Sequence, residues 1–435
     1  MRNVKIKLLG TIAIISQSVL FSGVTNAALE ELSDTDLSEY TGQAFITIDR
    51  PDPVAVGDTT YKYTRINLGM DIETILNVDE LVLGKYQDSR DITGAGADID
   101  MRDVALGKYF DPHDYYEVTR QGDIVYGSDG FPKPDPDKFP INPATGQKFQ
   151  MSDAGAPMPF EISDPFLEFA FKEENGVQSI AGFRLGFGGA KGTFTTDIRS
   201  LTGNLDVTIQ DDAQALASQD PDGFFGVLLR YLGPVLLGDS DVSARAILQQ
   251  GPDDPNPGQA LDYRATHIGV ESGTNFRVDG SDVNGFSWFL LKAAVALFAP
   301  SDAQAEVVDC RDTSDCSGSG GLIDLYTNDC DLIGIDTCFP LSKYQSLDIG
   351  NGEEARGMFL GAQTETLPWR TDVFVPFDPD NPLTTGEYVQ GIMRAGKGFY
   401  LNIPTGGINL DLKEAVNNGL PRNTTRYTDA SLGLF

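Results

Sequence analysis

Residues 166–187 read FLEFAFKEENGVQSIAGFRLGF. Phe183, Leu185 and Phe187 alternate with Arg184 and Gly186. Period two marks a strand, because successive side chains leave opposite faces of the pleated backbone. Asn175-Gly176 stands between the apolar run Phe166–Phe171 and the run Val177–Phe187. That dipeptide is a strong hairpin signal, since both residues tolerate the left-handed backbone of a tight two-residue turn. The stretch therefore predicts two antiparallel strands.

The same pattern recurs along the chain. Ile66, Leu68, Met70 and Ile72 alternate with Asn67, Gly69, Asp71 and Glu73. Leu205, Val207 and Ile209 alternate with Asp206 and Thr208, and residues 408–412 repeat the arrangement. Each reads as a strand with one wet face. LNVDELVLGKY (76–86) aligns with IDMRDVALGKY (99–109), and a looser echo falls at 347–349 and 358–361. Such a period suits stacked coils that bury one another, or two similar strands meeting in one sheet. The fold expected is mainly β: a stacked-coil β-solenoid or a large β-sandwich, with a short N-terminal helix and one or two apolar helices. The apolar helix candidates are FFGVLLRYLGPVLL (224–237) and FSWFLLKAAVALF (286–298). The second spans about 20 Å at 1.5 Å per residue, short of the ~30 Å hydrocarbon core. It suits a buried plug in the β body, or a surface for lipid or a partner chain.

Composition limits the functions open to the chain. Its 435 residues carry 32 basic and 64 acidic side chains, a net charge of −32. Nucleic acid is a poor partner for that balance, because phosphate binding needs clustered Lys and Arg. Arg2, Lys5 and Lys7, then the apolar run 8–21, then Thr25-Asn26-Ala27, have the layout of a secretory signal peptide. Export places the four cysteines in an oxidising compartment. Cys310, Cys316, Cys330 and Cys338 are then expected as disulfides. Cys310–Cys316 and Cys330–Cys338 are the favoured pairs, since each closes a short loop. The expected segments are 1–27 as signal peptide, 28–60 as a capped helix and first strand, 61–300 as a β-rich body, and 301–435 as a cysteine-containing β-rich region.

Leu29 to Gln43 reads LEELSDTDLSEYTGQ. Ser33 can cap a helix, Leu32 and Leu37 can staple its start, and Gly42 can end it. Leu29, Leu32, Ser33, Asp34, Leu37, Ser38, Gly42 and Gln43 also carry a resemblance. The segment resembles the LxxLSDxxLSxVxGQ-like start of exported gammaproteobacterial proteins of unassigned function, some labelled as pilus-system (Fil-type) proteins. Tyr40 stands where that pattern more often has Val. The resemblance implies an exported, β-rich protein tied to the envelope or a surface appendage. It implies no catalytic residue.

Few residues point to chemistry. No nucleophile elbow, P-loop or zinc-protease motif occurs. The glycine-rich stretch Gly186–Gly192 has the wrong spacing for a dinucleotide site and reads as a hairpin or tight β turn. His113 reads as a solvated loop residue and His267 as a strand residue. No cofactor is called for, though calcium suits the acidic loops, since hard oxygen ligands bind it. Its candidate ligands are Asp253, Asp254 and Asn256, then Asp378, Asp380 and Asn381. The proline-rich acidic loops are expected to decorate the β body. The function expected is that of an exported, non-enzymatic envelope or cell-surface structural or adhesive protein, linked to a pilus-like system. Its partners would be envelope or surface proteins, further copies of itself, or a membrane surface. The periplasm, the outer-membrane surface and the exterior all fit. A second expectation is an outer-membrane β-barrel or lipid-associated protein, resting on the apolar segments and the terminal Phe435. A third, weaker one is a secreted carbohydrate-active enzyme.

Overall fold

The computed structural model describes residues 46–119, 123–142, 145–174, 177–212, 241–280, 283, 285–298, 305–309, 320–332, 335–350, 354–375, 387–404, 408–411 and 419–425. The expected signal peptide, the capped helix, the motif at 29–43, the apolar segment 224–237 and Phe435 lie outside them. Residues Phe45–Phe435 form one compact unit.

The chain is mainly β, in several sheets. The most extensive one runs through strands Ile46–Asp49, Thr59–Leu68, Phe166–Glu174, Val177–Gly186, Phe359–Gln363, Gly398–Ile403, Gly203–Asp212, Asp241–Gln249, Asn275–Asp279, Gly321–Tyr326 and Ala305–Asp309. Strands from both sides of residue 300 thus share hydrogen bonds. A second sheet orders Asp71–Thr74, Phe160–Ser163, Gly189–Leu201, Ile99–Leu106 and Leu76–Leu83. The hairpin Leu367–Val375/Glu387–Ala395 forms a small sheet of its own.

The predicted hairpin is present. Glu174 pairs with Val177, so two residues close it. The alternating stretch 66–72 is divided between sheets: Leu68 ends one strand and Asp71 begins another in the second sheet. Gly186–Gly192 is not a hairpin. The strand ending at Gly186 pairs with Phe166–Glu174 and Phe359–Gln363, whereas the strand from Gly189 pairs in the second sheet. Phe187-Gly188 therefore carries the chain from one sheet to the other. The two repeat copies meet in the second sheet as an antiparallel pair, Leu76 opposite Leu106 and Leu83 opposite Ile99. Their shared Gly-Lys-Tyr has a backbone cause. Gly84 and Gly107 have φ of 66° and 72°, a conformation that residues with a Cβ avoid. At Gly107 an added Cβ would also stand 2.8 Å from two backbone atoms, Phe160 N and Thr74 O.

Two apolar cores organise the unit. One gathers Ile99, Met101, Phe160, Ile198, Leu205, Val207, Ile268, Trp288, Ile349 and Ile403. The other gathers Tyr61, Tyr63, Ala170, Ala181, Phe359, Leu367, Trp369 and Tyr400, where the small hairpin sheet covers the large one. A third, smaller cluster draws in one of the proline-rich acidic loops. Phe139, in the loop before Ile141, meets Phe110 edge-on at 5.1 Å, while Phe149 stacks on Phe110 at 4.3 Å. His113 belongs to this region and is half-buried rather than fully solvated, its Nδ1 2.7 Å from the Pro132 carbonyl.

Asp114 sits beside that cluster and accepts from the Thr424 amide at 3.0 Å. Burial pushes its carboxyl up to about 6, against the pull of Thr424 and Lys108. The folded chain then binds this proton more tightly than the unfolded chain. The group's contribution is full below the ordinary carboxylate value of about 4 and is lost as pH rises through 6. Asp114→Asn removes the charge but keeps an acceptor. The variant is expected to gain about 1–2 kcal/mol on the wild type between pH 4 and pH 7.5, read from urea midpoints at both pH values. A gap that does not change with pH would show the carboxyl to be unperturbed.

Candidate interaction surface

Arg184 takes a polar position of the predicted alternation and Glu168 is the one charge in the run Phe166–Phe171, yet both face inward. Both are essentially inaccessible, with Arg184 at 0% exposure. Arg184 Nε donates to Glu168 Oε2 at 2.6 Å, and Nη2 donates to the Arg370 carbonyl. Arg65 adds a two-pronged contact to Glu168, each prong 3.3 Å. The Arg184 guanidinium lies 4.8 Å from the Trp369 ring centroid and 4.9 Å from that of Phe359. Burial pushes Arg184 down to about 10, although Glu168 opposes the shift. Charges so paired can be buried; unpaired ones cannot.

Period two then dictates the opposite face. Once 168 and 184 point in, 167, 169, 183 and 185 must point out. Cross-strand pairing lines them up. Ile48, Ile66, Leu167, Leu185, Leu360 and Leu401 form one row across six strands. Thr64, Phe169, Phe183, Ala362 and Phe399 form the next. Phe171 and Ile180 lie opposite one another beyond it, with Lys62 paired to Phe171. At Leu401, Leu360 and Phe399 the rows belong to the first core. Further along they emerge. Leu185 is 44% exposed, Phe183 45%, Ile180 59%, Ile48 66% and Ile46 55%. An aliphatic and aromatic sheet face thus runs from the interior of the unit out to its surface. Sequence reasoning assigned this alternation but took the apolar residues as the dry face.

The second apolar segment lies in the helix Gly285–Phe298. Trp288 is its buried anchor, while Phe286, Phe289 and Leu290, spaced i, i+3, i+4, are exposed. Its described side chains are thus not buried all round. No described helix is long and apolar enough to cross a membrane.

The other sequence candidates disperse. Asp254 uses Oδ2 to accept from the Gly251 amide at 2.8 Å, and the Asn256 amide donates to Gln250 at 3.0 Å. Asp253, Asp254 and Asn256 thus share one turn, which the Asp254 carboxylate and the Asn256 backbone N–H hold. Among the described residues no group of three or more His, Cys, Asp or Glu side chains is gathered as a metal site. Asp378, Asp380 and Asn381 lie outside the described residues, as do Cys310 and Cys316. Cys330 and Cys338 are joined by a disulfide, their Cα atoms 5.0 Å apart. His267 opens a strand, and burial lowers its pKa.

A feature missed by sequence reading lies in the loop between the two repeat copies. A cavity of about 690 Å³ opens there, lined by Tyr86, Asp88, Asp91 and Arg264 among others. Arg264 is fully buried and donates to Asp91 at 2.8 Å, to Asp98 at 3.1 Å and to the carbonyls of Gly84 and Tyr86. Its charge is spent on the fold, whereas Lys85, also in the lining, is exposed. The available signal was the grouping of Asp88, Asp91 and Asp98 in one loop with a single arginine, Arg90, which pairs with Asp88 and leaves the other two to Arg264.

Comparison with known protein families, curated proteins and solved structures finds no match to this chain.

Proposed function

We propose that this chain is an exported, non-enzymatic envelope or cell-surface protein whose role is structural or adhesive, in association with a pilus-like system. The observation that carries the reading is the inverted sheet, with paired charge inside and an apolar face outside. Folding leaves that face exposed at a cost in hydration, so it is best explained as a surface meant to be covered. We read the body as a large β-sandwich rather than a stacked-coil solenoid, because the two repeat copies pair antiparallel instead of stacking. The basic and apolar N-terminal run supports export, and an oxidising compartment suits Cys330–Cys338.

A lipid-associated reading also draws on an observation, the exposed Phe286, Phe289 and Leu290 of the helix. Fractionation of cells expressing the tagged full-length chain separates the two. The envelope fraction or medium is expected to hold the protein, and an alkaline carbonate wash is expected to release it. Retention in the washed outer-membrane pellet would favour bilayer insertion. Recovery in the cytosol would sink export altogether.

A further inference from the structure

We infer that the exposed apolar sheet face is a self-association surface, and that its occupant is the same face of a second copy. The inference rests on the association reading above. The face comprises Ile46 and Ile48, Ile66 and Leu68, Leu167, Phe169 and Phe171, and Ile180, Phe183 and Leu185. Four features identify the partner.

First, the face holds no ionised side chain except at its end. There Lys62 is neutralised by Glu173 at 2.5 Å. A partner that recognised charge would find none, whereas an identical apolar face is complementary by symmetry. Second, the size fits. Four strands about 4.8 Å apart, with four rows of side chains about 7 Å apart, give a footprint of roughly 400–500 Å². Protruding side chains raise the accessible area toward the ~800 Å² per partner of a stable interface. Third, the rows already pack at one end, where Leu360, Phe399 and Leu401 join the first core. A second sheet laid about 10 Å above would extend the same packing outward.

Fourth, a bilayer is the poorer occupant. Strand Ile46–Asp49 pairs only with Thr59–Leu68 among the described residues, so it is an open edge there. Backbone groups of an open edge cannot be satisfied in hydrocarbon. A second copy leaves that edge in water.

Net charge sets a signature. Two chains of charge −32 repel one another through the solvent. Salt shortens that repulsion to about 8 Å at 0.15 M ionic strength. Association through an apolar face should therefore tighten with added salt, the reverse of an ion-paired interface.

The test is sedimentation velocity on the purified full-length chain at several concentrations, in 0.05 M and 0.5 M NaCl. The wild type is expected at the mass of two 47.0 kDa chains, more completely in high salt. Phe183→Glu with Leu185→Glu is expected to raise the dissociation constant at least about a hundredfold, since symmetry buries each new charge twice. Ile392→Glu, an exposed apolar position on the separate hairpin sheet, is expected to leave the mass unchanged. Circular dichroism confirms that each variant is folded. A dimer that survives the Phe183/Leu185 double change overturns the inference, because it forms elsewhere. So does a wild type that stays monomeric. In that event, flotation with phosphatidylcholine vesicles decides what remains. Flotation that the double change abolishes would keep the face as an association surface with lipid as its occupant. No flotation and no association would take the association reading down with the inference.

Discussion

Replacing Arg264 by alanine should cost about 3–5 kcal/mol of folding free energy, a large share of the 5–15 kcal/mol that stabilises a typical domain. The substitution strips the counter-charge from Asp98, itself fully buried, and from Asp91. It also leaves the carbonyls of Gly84 and Tyr86 without their donor. Asp91 cannot compensate, since its carboxylate already accepts from the amides of Gly94, Ala95 and Gly96. Arg264→Lys should recover only part of the loss, because a point charge cannot reach four acceptors held in a fork. Burial acts to raise Asp91's pKa, but Arg264 and the surrounding donors outweigh it and hold it low. That contribution is present above the ordinary carboxylate range and vanishes as pH falls through the lowered value. The gap between wild type and Arg264→Ala should therefore narrow in acid. Urea unfolding at pH 7 and pH 3.5 measures both effects. A loss under 1 kcal/mol at pH 7 would mean that the loop is not held by this residue.

Glu168→Ala is the second large effect, again about 3–5 kcal/mol. Arg184 would be left as a buried cation, with only the Arg370 carbonyl and aromatic faces for company. Arg65, on the neighbouring strand, is partly exposed and can turn to water. Removing both ends of the pair should be far milder than removing one. Glu168→Met with Arg184→Met takes away two desolvated charges together and keeps the volume apolar. The double variant is expected within about 1–2 kcal/mol of the wild type, and far less destabilised than Glu168→Met or Arg184→Met alone, giving a coupling energy of opposite sign to those single losses. Additive losses would show that Glu168 and Arg184 do not act as a unit.

The hairpin at 166–187 shows how much was legible and where legibility stopped. Asn175-Gly176 and the flanking alternation are local signals, and local signals predict local structure. Extending the turn pairing in a straight ladder from Glu174 and Val177 would set Glu168 against Phe183. A bulge between Ala170 and Phe171, where Ala181 is passed over, shifts the ladder by one residue. Glu168 then faces Arg184, and the two charges meet. The same shift keeps Ile180 and Phe183 on the outward face with Phe169 and Phe171. Neither the bulge nor the choice of inner face is written in the periodicity. Both follow from what packs above: Trp369 and Leu367 of the hairpin sheet supply the cover that makes the charged face the inner one.

Length-scale separates the rest in the same way. The sequence by itself pointed to the strand content, the hairpin pairing of 166–174 with 177–186 and a favoured short-loop pairing of Cys330 with Cys338, since each depends on residues close together in the chain. The Gly-Lys-Tyr echo was visible too, although its cause, a left-handed glycine closing each strand, needed the backbone. Tertiary structure alone decided that the chain leaves one sheet for another at Phe187-Gly188, that Arg264 would reach back some 170 positions to Asp91, and that an apolar row would come to the surface. Alternation states that a strand has two different faces. Which of them is buried depends on whether distant residues bring a partner charge or a cover to it, and that is settled only when the sheets meet.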